Sequence, residues 1–334
     1  MIEHDPRSGP DRPLILTDAG IETVLVGEGL DLPCFAAFPL IDTASGQEAL
    51  RRYYRPFLEL ALDLDTPFAL GTPTWRASLE WGRELGYDAA ALAAANRRSV
   101  AFVDDLRRQA RPGAGPAVLL EGVIGPRSDD VTPGGTMSSA RAQQYHSAQV
   151  RELAGAGVDR LAAMTIADAA EAIGIVRAAR SVAVPILIGF TVGTDGRLPS
   201  GLPLGAAIEQ VDRETDGAAD GFMINCAHPV HFAPALAAGG HWRDRVLALR
   251  ANASPNEPGD DQAGDDQAAD DQAGPPDDDT PADLAARYLV LRDLLPNLTT
   301  VGGCCGTDIR HVAAIGRACL GRPTAWPGHP TPSG

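Results

Sequence analysis

The sequence predicts a single-domain α/β protein, a (β/α)8 TIM barrel over residues 14–320. Three observations carry this expectation. Short apolar runs alternate with longer amphipathic ones eight times. Polar, chemistry-bearing residues recur just beyond the apolar runs, where the C-terminal mouth of such a barrel lies. The chain has 334 residues and a hydrophobic fraction of 44%, enough for one large core.

The first strand is expected at 14–17, ended by the corner Asp18-Ala19-Gly20. The second, at 68–71, runs into Thr72-Pro73-Thr74-Trp75-Arg76, where proline stops the extended pairing. Strands at 117–123 with Glu121, 160–164 ending on Met164, and 185–190 followed by Thr191 come next. The sixth, 221–225, ends in Asn225-Cys226, the seventh, 246–250, in Arg250, and the eighth, 298–301, enters Gly302-Gly303-Cys304-Cys305-Gly306. Helical periodicity places the connecting helices at 47–62, 89–110, 139–156, 167–180, 204–216, 234–238, 282–294 and 308–320, the last opened by a Thr307 or Asp308 cap. Residues 1–13 form a polar extension and 321–334 a tail.

Between the seventh strand and its helix lies an insertion, 255–281, holding three five-residue repeats that begin Asp-Asp-Gln-Ala. Its period suits neither helix nor strand and its charges repel, so a disordered loop on the barrel rim is expected. It lacks the glycine and closing glutamate of a folded calcium loop.

The net charge of −16 disfavours nucleic acid and anionic membranes as partners. Nine aspartates between 260 and 279 inflate that figure locally. The chain contains no lysine, which removes Schiff-base chemistry. It has no run of 18 apolar residues, and the polar N-terminus does not read as a signal peptide. Five cysteines, two of them adjacent, do not form a disulfide framework. A cytoplasmic protein is expected, with a homo-oligomer left open.

Adjacent cysteines cannot readily bridge one another. Both can turn towards one ion where the backbone bends, and Gly302, Gly303 and Gly306 are expected to supply that freedom. Cys226, at another strand end, is the natural third ligand. Three cysteines with a fourth position open fit a catalytic Zn2+ site, since structural sites are closed by four ligands. Cys34 and Cys319 lack this context, and Cys319 falls on the apolar side of its helix. His228 is read as pocket wall rather than ligand, and His231 and His311 as surface or capping residues.

The pieces Thr17-Asp18-Ala19-Gly20, Asn225-Cys226 and Gly302-Gly303-Cys304-Cys305-Gly306 resemble the signature of the homocysteine S-methyltransferase family, in order, from about Leu14 to about Leu320. The resemblance implies the same barrel, with Cys226, Cys304 and Cys305 as zinc ligands and the homocysteine thiol as the fourth. It places Asp18 beside the homocysteine pocket as a partner for the ammonium. Glu22, one turn on, either shares that role or faces solvent. Thr72 and Trp75 match a second-strand motif, and the Trp75 face would attract a cationic donor. Arg76 stands where the betaine-dependent enzymes carry tyrosine, which counts against betaine and favours S-methylmethionine or S-adenosylmethionine. Met164 replaces a family glutamate that contacts the homocysteine amino group. Either Asp18, Glu121 or Thr165 substitutes for it, or the acceptor is another thiol. A non-catalytic zinc-storing or redox-sensing barrel is the third reading.

Overall fold

The computed structural model describes residues 13–110, 115–129, 137–255 and 278–321. Eight parallel strands close into a barrel in chain order: β1 (Ile15–Leu16), β2 (Phe68–Gly71), β3 (Val118–Ile124), β4 (Arg160–Ile166), β5 (Ile186–Phe190), β6 (Gly221–Asn225), β7 (Val246–Ala251) and β8 (Thr300–Gly303). β1 pairs β8 through Leu16 and Val301, which completes the ring. The expected (β/α)8 architecture is therefore present, and all eight strands fall on or beside their predicted positions. The polar extension, nearly all of the acidic insertion and the C-terminal tail lie outside the described residues.

Around the barrel run α1 (Ile21–Gly27), α2 (Ala44–Asp63), α3 (Leu79–Glu84), α4 (Ala89–Ala110), α5 (Ser139–Gly155), α6 (Ala169–Ser181), α7 (Leu204–Thr215), α8 (Pro229–Ala237), α9 (Pro281–Leu294) and α10 (Ile309–Cys319). In α2 the inward stripe Leu50, Tyr53, Tyr54, Phe57, Leu58 and Ala61 follows helical spacing and is buried. Side chains that satisfy the first free amides open several helices: Thr43 for α2, Asp168 for α6, Thr280 for α9 and Asp308 for α10. The last confirms an aspartate cap, with His311 completing a capping box. Two short helices, α1 and α3, do not emerge from the periodicity, because seven and six residues are too few to display it.

The main core lies between strands and helices, and a smaller one fills the barrel with Val123, Ala162, Met164, Leu187, Met223 and Ala248. Cys319 belongs to the outer core, as expected. Among the described residues no helix is long and apolar enough to cross a membrane.

Candidate active site

The three cysteines meet. Cys226 follows β6, Cys304 and Cys305 follow β8, and their sulfurs all lie within 4.8 Å of one another. The Cys226 and Cys305 sulfurs are 3.7 Å apart. Tetrahedral zinc–thiolate sites have metal–sulfur distances of about 2.3 Å, which puts neighbouring sulfurs about 3.8 Å apart, so this donor set fits a zinc ion.

Backbone contacts hold the cluster in place. The Cys304 N–H donates to Ala251 O at 3.0 Å, and Cys304 O accepts from Gly20 N–H at 3.2 Å and from the Thr307 hydroxyl at 2.6 Å. The Cys305 N–H donates to the Asn252 side chain at 3.1 Å. Cys226 has a left-handed backbone (φ 54°), unusual for a non-glycine residue, and its carbonyl accepts from the Thr191 hydroxyl at 2.9 Å.

The glycines act differently from expectation. Gly306 does take a positive φ of 71°, but Gly302 and Gly303 belong to β8 itself. What they supply is space: a Cβ on Gly302 would stand 1.9 Å from the Thr17 hydroxyl, and one on Gly303 2.1 Å from the Thr307 hydroxyl.

Hydrogen bonds from Cys226 and Cys305 stabilise a Cys304 thiolate, and the Arg250 guanidinium adds attraction. Together they hold Cys304 well below the usual thiol range, despite its burial. The same interactions, with burial, push Cys226 up.

A cavity of about 470 Å3 opens over the cysteines at the C-terminal mouth of the barrel. Of the residues singled out from sequence, Asp18, Glu22, Thr72, Trp75, Met164 and Asn225 line it with them. Asn225 bridges two strand ends: its side-chain oxygen accepts from the Thr165 N–H at 2.9 Å and its amide donates to the Thr165 hydroxyl at 3.0 Å. Trp75 donates to Met164 O at 3.3 Å.

Asp18 lines the cavity and carries an ion pair. Its carboxylate meets Arg250 at 2.6 Å and accepts from the Tyr53 hydroxyl at 3.0 Å. Arg250 donates further to Ala19 O and Gly303 O, so this buried pair ties the first strand to the last two.

Glu22, in the first turn of α1, is buried, and its Oε1 has no hydrogen-bond partner. Burial pushes its carboxyl up to about 7. Cys304 and Asp18 add to the rise, and Arg76 opposes it.

Two expected contacts are corrected. Glu121 is in the middle of β3 rather than at its end, and its carboxylate pairs with Arg160 of β4 at 2.5 Å inside the barrel, away from the cavity. Arg76 is buried between the rings of Trp75 and Trp81, 4.0 and 3.8 Å from their centroids, and reaches Asp129 at 2.5 Å. It does not line the cavity. Its neutralised charge gives no ground against a cationic donor, and it covers a face of Trp75 that was expected to be open.

His228 is neither ligand nor pocket wall. It caps α8 and contacts Asp279 at 3.0 Å, in the last, described residues of the insertion just before α9. His231 is buried rather than on the surface. Sequence reasoning missed Tyr53, whose hydroxyl lies two turns into α2, and Thr23, whose side chain bonds Cys305. Neither carries a signal separable from ordinary helix residues.

With this geometry in view, comparisons with known proteins are decisive. A family model described as homocysteine S-methyltransferase matches residues 15–319. The chain belongs to the homocysteine S-methyltransferase family. It is a methyltransferase, and methylation of homocysteine is the activity that membership implies. Among solved structures it is similar to the homocysteine methyltransferase MmuM from Escherichia coli. The metallated form aligns with a TM-score of 0.69 at 19% identity, over 92% of this chain and 96% of that one. The oxidised form gives 0.69 at 19% identity, over 91% and 96%, and the apo form 0.62 at 19%, over 92% and 96%. At this identity the likeness speaks for the barrel alone. A search of curated proteins found no match.

Proposed function

We propose that this methyltransferase moves a methyl group from a sulfonium donor, S-methylmethionine or S-adenosylmethionine, to the sulfur of homocysteine, with Zn2+ held by Cys226, Cys304 and Cys305. The observation that carries this reading is the convergence of three sulfurs within 4.8 Å on the floor of a cavity large enough for small molecules. Bound there, zinc would keep the incoming thiol deprotonated at neutral pH, where a free thiol with a pKa of about 8.5 is mostly protonated.

The protein's own residues supply the rest. Backbone contacts around Cys226, Cys304 and Cys305 fix where the acceptor sulfur arrives. Asn225 and Thr165 stiffen the wall beside it, and Trp75 and Thr72 form the opposite wall, where an apolar, weakly polar lining suits a methyl-bearing donor. In the transfer, the acceptor sulfur forms a bond to the methyl carbon as the donor's carbon–sulfur bond breaks. The released electron pair neutralises the sulfonium as a thioether. No protein base is needed, and the geometric demand is a line from acceptor sulfur through methyl to leaving sulfur.

A second reading keeps the chemistry and changes the acceptor thiol. Met164, lining the cavity where relatives carry an acid, favours it. Mass spectrometry of zinc-loaded protein incubated with homocysteine and each sulfonium in turn separates the two. Methionine formed from homocysteine, and lost in Cys304→Ala, is the expected result. Methylation of a different thiol without methionine would favour the second reading.

A further inference from the structure

We infer that Glu22 is the acid that holds the ammonium group of the acceptor, so that this site selects amino-acid thiols. The inference rests on the reading that a thiol binds at the cysteine cluster, and it begins from the carboxylates around the cavity. Asp18 is balanced by Arg250 at 2.6 Å, and Asp129 by Arg76 at 2.5 Å. Glu121, outside the cavity, is balanced by Arg160. Glu22 lines the cavity, is only 9% exposed, and leaves Oε1 without any hydrogen-bond partner. A buried carboxylate oxygen left unpaired costs free energy in the empty protein, and a ligand that brings a cation to it recovers that cost on binding.

Position decides which cation this is. Glu22 is flanked by two residues that touch the cysteine loop: the Gly20 N–H donates to Cys304 O at 3.2 Å, and the Thr23 side chain bonds Cys305. Glu22 and the three cysteines thus line one cavity, with α1 held against the loop that follows β8. A ligand that fills both positions carries a thiol and an ammonium a few bonds apart. Met164 and Trp75, on the wall formed by β2 and β4, offer no side-chain charge to compete for that ammonium.

The test compares homocysteine with 4-mercaptobutanoate, the same molecule without its amino group, in calorimetric titrations of zinc-loaded protein. Wild-type protein is expected to bind homocysteine on the order of 10- to 100-fold more tightly, the range for a charged hydrogen bond lost from a buried site. Glu22→Gln should erase that preference by weakening homocysteine alone, with zinc content unchanged. Glu22→Asp, which keeps the charge on a shorter arm, should retain part of it. Equal binding of the two thiols by the wild type overturns the assignment with no variant needed. So does a Glu22→Gln protein that keeps the preference, or one that weakens both thiols together as it loses zinc. The transfer reading fails separately: a wild type that discriminates between the thiols yet makes no methionine from any sulfonium refutes that chemistry and leaves Glu22 as an aminothiol contact.

Discussion

The rim above β6, β7 and β8 and the rim above β2, β3 and β4 face each other across one cavity but are built by different means. The first is a backbone construction. Cys304 and Cys305 are fixed by main-chain hydrogen bonds and by two glycines where a larger residue would collide with the Thr17 and Thr307 hydroxyls, and the Tyr288 hydroxyl of α9 joins the strands beneath by accepting from Ala251 N–H and donating to Gly302 O. The second is a side-chain construction: the Trp75–Arg76–Trp81 stack, the Thr72–Thr74 hydroxyl pair and Met164. A site that depends on backbone shape tolerates few residue types. A wall made of packed side chains can be rebuilt while the barrel stays the same. On the proposed function, the chemistry would sit on the first rim and the choice of ligand on the second, with Glu22 between them.

The largest effect should come from breaking the backbone rim at its sulfurs. Cys304→Ala and Cys226→Ala are each expected to lose bound zinc and to lower methyl transfer by more than about 100-fold, beyond the 10- to 100-fold that changes behind a metal ligand cost. Metal analysis and methionine formation check this. Retention of one equivalent of zinc with near-normal turnover would remove the distinction between the rims.

Next is the ion pair beneath that rim. Arg250→Ala strands Asp18 in a buried site and should destabilise the protein by about 3–5 kcal/mol in urea unfolding. Asp18→Asn in the same chain should recover part of the loss, because no uncompensated charge is left behind.

A pH profile reads the hinge between the rims. The Glu22 carboxyl rises from 4.5 to about 7 on folding, chiefly through burial. A raised carboxyl pKa means that folding favours the protonated form, so its contribution is fully present below pH 4.5 and is lost as pH rises through about 7. Metal-free wild type should lose on the order of 3 kcal/mol between pH 4.5 and 8 relative to Glu22→Gln, at 1.36 kcal/mol per unit. A parallel pH dependence in the two proteins would show Glu22 to be solvated.

The same contrast explains what the sequence disclosed. β2 and β6 were readable to the residue, because each is an apolar run that stops at a polar one. β8 runs two residues past its predicted end, since Gly302 and Gly303 read as a bend when they are strand residues lacking side chains for want of room. The cysteine cluster was legible because adjacent cysteines are rare and demand a reason. Glu121 and Arg76 were misplaced because what decides each is a partner distant in sequence. The β3–β4 register sets Arg160 opposite Glu121, and Asp129, far along the chain from Arg76, takes its charge. The sequence leaves Glu22 either sharing the role of Asp18 or facing solvent, and only the folded chain reveals that its oxygen is enclosed.

The smallest effect should come from the side-chain rim, at Met164. Met164→Leu keeps the volume and apolar character of a residue whose side chain packs with Val123 and Leu187 and makes no polar contact. Such swaps cost less than about 1.5 kcal/mol, and methyl transfer should stay within a few-fold of wild type. The more revealing change is Met164→Glu, which installs the acid that the family resemblance implies at this position. With Glu22 already holding the ammonium, a second carboxylate in the same cavity adds like-charge repulsion and a buried charge rather than a missing contact. Homocysteine affinity should therefore fall in Met164→Glu and recover in the double variant Met164→Glu, Glu22→Gln. If the single change instead tightened homocysteine binding, the acid would have been absent from this wall without replacement, and the division of labour between the two rims would be wrong.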